Sequence, residues 1–357
     1  GWFALHERWG ALDMDEVLAP AAEYAEIGFP MSPVIAAAFA ANQRRFEQRE
    51  SMIEELDNAR ALYFPEGVAP AVGTMFRNPD LAKTLRTLGA EGRASFYQGR
   101  LAEQMADYFE AIDADLTAAD LANHVGEWVE PRGVDYHGAT LWELPPNGQG
   151  FAALMMLNII KQADVAEMER GSAELFHLMV EAKRLAFEAM AQTFADPLFA
   201  QIPVDQLLSD EFAAAQYARI SKDKVLTAEA LAVPLEGEGD TTYLTVADAS
   251  GMMGSLIQSN YRGMGSGLVP TGLGFMLQDR GELFSLDPKH PNVYAPGKRP
   301  FHTIIPAFVT REGKPWMSFG LMGGGMQPQG HVQVLVNIVD FHMNLQEAGD
   351  AAPFLHD

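Results

Sequence analysis

Cysteine is missing altogether. Its absence excludes disulfides, thiolate metal sites and a thiol nucleophile together. Basic residues are scarce: 25 Lys and Arg stand against 48 Asp and Glu, a formal net charge of −23 with His neutral. That field repels phosphate backbones, and no basic stripe relieves it, so nucleic acid is not an expected partner. The plain meaning of the acidic excess is a solvated surface. Histidine is thin as well. No His-Glu-x-x-His occurs, and His331 and His342 share one segment at a spacing too wide for joint metal binding. No metal is expected. Long apolar runs are also wanting, since FAALMMLNII (151–160) falls well short of the ~20 residues a membrane helix needs. The expectation is a soluble protein without a membrane span, cytoplasmic or periplasmic. No Gly-Lys-Ser/Thr follows any glycine loop, which excludes a Walker site.

What is present is ample apolar material, 48% of 357 residues, enough for one large domain or two. Two textures divide it. Through about residue 232 the apolar residues recur at helical spacing. The periodicity predicts helices over 14–28 (with Gly28 as a stop), 34–64, 81–92 and 96–112. Thr117 followed by Asp120 predicts the cap of a short helix over 116–124. A strand-like island, GATLWELPPNGQG (138–150), precedes helices over 151–162, 173–194 and 210–220. After residue 240, TYLTVAD, MMGSLIQS, GLGFMLQ and PWMSFGLM read as strands between Gly- and Pro-rich turns. An amphipathic helix is predicted over 331–344, and the seam between the halves at 233–240. Trp2, Trp9, Trp128, Trp142 and Trp316 lie on apolar segments and are expected in the core. The opening GWFALHERWG and the closing AAPFLHD both read as cut ends.

The seam carries the sharpest motif, GDTTYLTVAD (239–248), after the loose stretch LEGEG (235–239). One reading is a loop feeding a strand. The other is that Thr241 is a hidden N-terminus. Acyl transfer needs a nucleophile, a base beside it and donors for the oxyanion. A chain-terminal threonine supplies two of these, because its α-amine, with a reference pKa of roughly 7.7–8.0, can take the hydroxyl proton. Release is chemically possible without a second protein: Thr241 Oγ attacks the Asp240 carbonyl, an ester forms, and water opens it. Donors could come from Gly323-Gly324-Gly325, though a tight strand–helix turn uses the same residues. Gly263 to Gly267 mimics a dinucleotide loop, but Pro270 and Gly272 follow at once and no helix opens there.

Taken in order, these stretches resemble the γ-glutamyltransferase (glutathione hydrolase) family of N-terminal-nucleophile hydrolases. MDEVLAPAAEYAEIGFPMS, LAKTLRTLGAEGRASFYQGRLAEQMA, LTAADLANH, YHGATLWELPPNGQGFAALMMLNII and EAKRLAF are similar to the family's large-subunit segments. GDTTYLTVADASG, LIQSNYRGMGSGLVPTGLGFMLQDRG, FSLDP, PNVYAPGKRP, MGGG and VDFHMNLQEA follow the small-subunit order. The resemblance implies an α+β fold, a four-layer αββα sandwich incomplete at both ends. It implies one precursor cut at Asp240–Thr241 into a large-subunit portion (1–240) and a small-subunit portion (241–357). Thr241 would be the nucleophile, Ser259 the second hydroxyl near its amine, and Gly323 and Gly324 the oxyanion donors. No cofactor is implied.

Three departures bear on the substrate. The family acid that holds a γ-glutamyl ammonium is replaced by Leu283, with Glu282 beside it; on a strand that shift points to the other face. The serines that help hold the α-carboxylate are replaced by His302-Thr303, and Arg280 adds a positive charge nearby. In the helix over 186–197, Ala189 and Met190 stand where an Asp-Arg pair is expected. Arg280, Glu282, His302 and Thr303 are thus candidate substrate-binding residues, for a small amide bearing a carboxylate and lacking an α-amine. These features lean toward the atypical branch of glutathione hydrolase-like, acylase-like and oxamate-cleaving proteins. The competing reading is an unprocessed, non-catalytic relative retained for binding or assembly.

Overall fold

The computed structural model describes residues 1–226 and 240–356, with Asp240 described by its backbone alone. The LEGEG stretch and the seam before Asp240 lie outside the described residues. Two compact units result: residues 1–128 with 262–279, and residues 129–261 with 280–357. The expected subunit boundary at Asp240–Thr241 falls inside the second.

Helices build the first unit: α1 (Met14–Ile27), α2 (Pro33–Arg49), α3 (Pro79–Glu91) and α4 (Arg100–Ala111). Their starts are written locally. Ser32 Oγ accepts from Ile35 N and Asn78 Oδ1 from Leu81 N, and proline occupies the first turn of both α2 and α3. The predicted stop at Gly28 holds, with φ +95° and Arg77 and the Phe76 carbonyl where a Cβ would go. The predicted 34–64 helix is interrupted: α2 ends at Arg49, a single 3₁₀ turn follows, and helix resumes only at Asp57–Tyr63. Leu18, Leu85, Leu88, Met105 and Phe109 form the core with Leu273 from the returning segment.

That returning segment corrects one expectation. GLGFMLQ is not a strand but a turn that runs into a loop. Its carbonyls are taken by side chains of α3 and its cap: Thr84 Oγ1 donates to Leu273 O and Asn78 Nδ2 to Gly274 O. Gly274, at φ +73°, lies so close to Leu81 N that any Cβ would collide with it. Trp2, Trp9 and Trp128 are exposed rather than buried. Trp9 and Trp128 instead meet edge to face at 5.6 Å, with the Arg8 guanidinium 3.6 Å from the Trp128 ring centre.

In the second unit, β1 (Arg132–Tyr136) and β2 (Ala139–Glu143) form a hairpin that leads into α5 (Gly150–Ile160) and α6 (Ala173–Thr193). Then come the hairpin β3 (Asp240–Ala247) and β4 (Met253–Tyr261), the hairpin β5 (Ala307–Arg311) and β6 (Lys314–Phe319), and α7 (Met326–Val339). The antiparallel order β1-β2-β5-β6 joins strands from far ends of the chain, with Leu141 opposite Val309. The β3–β4 hairpin reaches this sheet through hydroxyls: Ser255 Oγ donates to Ala307 O at 2.9 Å, and Thr245 pairs with Ser318.

Every residue of α5 is buried, against α6, α7 and the β1–β2 hairpin. A helix apolar all round has no solvent face to offer and so takes the centre of the core. Met190 of α6 is buried in this core and Ala189 packs against it, so the departure at these two positions is accounted for by packing. Leu154 in α5 has no exposure, whereas Leu286 is 90% exposed. Leu154→Ala is therefore expected to lower unfolding free energy by about 2–5 kcal/mol and Leu286→Ala by less than about 0.5 kcal/mol. Denaturant titration of the two variants beside the wild type measures the contrast.

Candidate active site

Thr241 sits at the second position of β3 and is 6% exposed. The β3–β4 register slips beside it: Asp240 pairs with Tyr261 and Thr242 with Gln258, so Thr241 alone faces Ser259 and Asn260. That is a β-bulge, a device that re-aims side chains where pairing ends. Beyond it Tyr261 adopts φ +81°, uncommon for a residue with a side chain, and Ser259 Oγ accepts its N–H at 2.8 Å. The bulge thus sets Ser259 and Asn260 across from Thr241.

Arg280 is 2% exposed. Its guanidinium donates from Nη1 to Ser259 O at 2.9 Å and from Nη2 to Thr303 Oγ1 at 3.1 Å, and lies over the Tyr261 ring at 5.5 Å. It therefore braces the strand opposite Thr241 against the His302-Thr303 segment. The positive field also acts on His302. Burial first, and the Arg280 charge second, pull the His302 imidazole down to about 3, so the ring is neutral at physiological pH. The expected positive character of this corner belongs to Arg280 alone.

The Arg280–Leu283 stretch is a 3₁₀ turn, not a strand, as its glycine and flanking charges favour. The alternation argument does not apply there. Glu282 is exposed on the turn, while Leu283 packs against the main core. The structure therefore links Ser259, Arg280 and Thr303 by hydrogen bonds, with His302 beside them and Thr241 across the strand pair from Ser259, and leaves Glu282 on the surface.

Gly323 and Gly324 follow β6 with φ +105° and +56° and open into α7. Such conformations suit glycine. The loop is tied by a residue that sequence reasoning passed over. Gln149, fully buried before α5, donates from Nε2 to Gly324 O at 2.8 Å and to Thr303 O at 2.5 Å. Its signal was an amide set between glycines in PPNGQG. A second missed pair lies below: His331 Nδ1 and Glu143 Oε1 are 2.6 Å apart and wholly buried. Burial raises the Glu143 carboxyl, opposed by the neighbouring imidazole. His331 had been weighed only as a metal ligand. Among the described residues no group of three or more His, Asp or Glu is placed to hold a metal, and no helix is long and apolar enough to cross a membrane.

A threonine beside a bulge, a hydroxyl-bearing residue opposite, a buried cation and a glycine turn at a helix start are parts that acyl transfer can use. The gamma-glutamyltranspeptidase family model matches residues 1–357. The glutathione hydrolase-like YwrD proenzyme of Bacillus subtilis (strain 168) is 35% identical over 350 residues, 97% of this chain and 64% of the relative. The oxamate amidohydrolase proenzyme of Klebsiella pneumoniae subsp. pneumoniae is 36% identical over 341 residues, 95% of this chain and 62% of the relative. The solved structure of cephalosporin acylase from Bacillus halodurans superposes with a TM-score of 0.87 at 40% identity, covering 98% of this chain and 63% of that one. The chain thus spans less than two thirds of the length of these relatives.

An unfolded histidine titrates near 6.5 and His302 near 3. Between those values the unfolded chain binds a proton that the folded chain refuses, so this contribution is intact above about pH 6.5 and declines as pH falls toward 3. His302→Gln should therefore shallow the acid limb of a stability–pH series, by up to about one proton's slope. Denaturant midpoints of both proteins from pH 7 to pH 4 test it.

Proposed function

The chain belongs to the gamma-glutamyltranspeptidase family, and from that premise we propose a self-processing amidohydrolase or acyltransferase with Thr241 as its nucleophile. Its relatives hydrolyse amides or transfer acyl groups, and it is an enzyme of that kind. The observation that carries the finer reading is the bulge: a buried threonine at the mouth of β3, set against Ser259, at the position where the family resemblance puts the nucleophile.

The precursor is cut at Asp240–Thr241. The freed Thr241 amine then takes the proton from its own Oγ, and Oγ attacks the substrate carbonyl. The Gly323 and Gly324 amides receive the oxyanion. The ammonium returns the proton to the leaving amine as the C–N bond breaks, which leaves an ester on Thr241. Water, deprotonated by the same amine, or an acceptor amine releases the acyl group. The same reading carries the four-layer αββα arrangement of N-terminal-nucleophile hydrolases.

The substrate is a small amide with a carboxylate. Glutathione and other γ-glutamyl compounds are the family default, but Leu283 offers no charge to an α-ammonium and packs into the core instead. Arg280 supplies the cation near the carboxylate end, through the Thr303 segment it braces. The likeness to an oxamate amidohydrolase and a cephalosporin acylase supports such a substrate over a γ-glutamyl one.

Intact mass of the product of the full reading frame decides the matter. The wild type should yield two pieces, the smaller starting at Thr241, and Thr241→Ala a single uncut chain without amide turnover. One uncut chain in both would support the non-catalytic relative instead.

A further inference from the structure

We propose that Gln149 is a positioning residue that fixes the spacing between the substrate-carboxylate segment and the oxyanion loop; this rests on Thr241, Gly323 and Gly324 acting as described above. The side chain is fully buried, and its one nitrogen donates to two carbonyls from distant parts of the chain, Thr303 O and Gly324 O. The amide cannot be turned round, since its oxygen would then face both carbonyls. Gln149 Oε1 meanwhile meets no partner among the described residues. Burying an amide oxygen unpaired is unfavourable, so the arrangement is maintained by what the nitrogen holds.

What it holds is continuous. Ser259 O accepts from Arg280, Arg280 donates to Thr303 Oγ1, Thr303 O accepts from Gln149, and Gln149 donates to Gly324 O. One line of hydrogen bonds thus runs from the strand opposite Thr241 to the glycine loop. The backbone beside it is zipped as well, with Gln149 N donating to His302 O at 3.0 Å and His302 N to Asn147 O at 2.9 Å. The two ends differ in what remains without the amide. Thr303 keeps Arg280 on its hydroxyl and sits in this zipped segment. Gly324 keeps a longer bond from Gln327 N, 3.2 Å, and belongs to a glycine pair with the most permissive backbone in the site. Loss of the clamp therefore loosens the oxyanion side more than the carboxylate side, so the effect falls on kcat before KM.

The test uses the matured protein and mono-p-nitrophenyl glutarate, an activated ester carrying a free carboxylate, with wild type, Gln149→Met and Gln149→Glu. Intact mass first establishes that the acyl group is on Thr241. Gln149→Met keeps the shape and removes both donors; its kcat should fall about 10- to 100-fold with KM within about threefold. Gln149→Glu turns a charge on the same carbonyls at neutral pH but regains one O–H donor when protonated. Its rate relative to wild type should rise as the pH is lowered. Two variants within about threefold of wild type in kcat overturn the proposal. So does an equal loss in both with no acid recovery, which marks a purely structural role. A wild type that processes but takes no acyl group on Thr241 overturns the nucleophile reading, and this proposal with it.

Discussion

The pairing of residues 147–149 with His302 is the constraint on which the site depends. It is a short parallel bridge between a loop that ends one hairpin and a segment more than 150 residues later. Because α5 begins at once after Gln149 and is buried on every side, the loop has no freedom to withdraw. The His302-Thr303 segment is therefore fixed by the core itself. Arg280 and the glycine turn are then fixed to that segment, each through a side chain or carbonyl of Thr303 or Gln149. A site assembled this way takes its precision from packing rather than from loop chemistry.

Local features were legible in the sequence wherever a single residue decides them. The cap at Thr117, with Asp120 reaching back, stands as the pattern predicted. The apolar run at 151–160 became the central helix, and the strand island before it supplied β2, while its hairpin partner β1 lies upstream of that island. The misreadings have one cause in common. GLGFMLQ has strand-like composition, yet side chains of α3 and its cap satisfy its carbonyls, and no strand neighbour is needed. Trp9 and Trp128 failed the same way, since a ring can be covered by another ring and a guanidinium as well as by a core.

The candidate site divides similarly. Thr241, Ser259 and the glycine pair are candidates by motif order and by the chemistry each residue can perform. Gln149 was not, because a buried amide acts through partners 154 and 175 residues away and leaves no periodic trace. Arg280 was noticed as a charge, but its use as a brace between strand and segment is a matter of geometry alone. Glutamate at 143 and histidine at 331 likewise carry no signal until the fold places them together.

The four-stranded sheet has a further consequence for the order of events in the life of the molecule. Its middle pairing joins β2, from before residue 240, to β5, from after it. A cut at Asp240–Thr241 would turn that internal seam into a junction between two polypeptides, each holding half of one sheet. Folding of the precursor is a one-molecule process, whereas reassembly of separated halves is a two-molecule one that slows with dilution. The halves would share the core of the second unit and could part only by unfolding it. Maturation would then work as a ratchet: the chain folds once as a whole, and after the cut its shape persists through the slowness of coming apart.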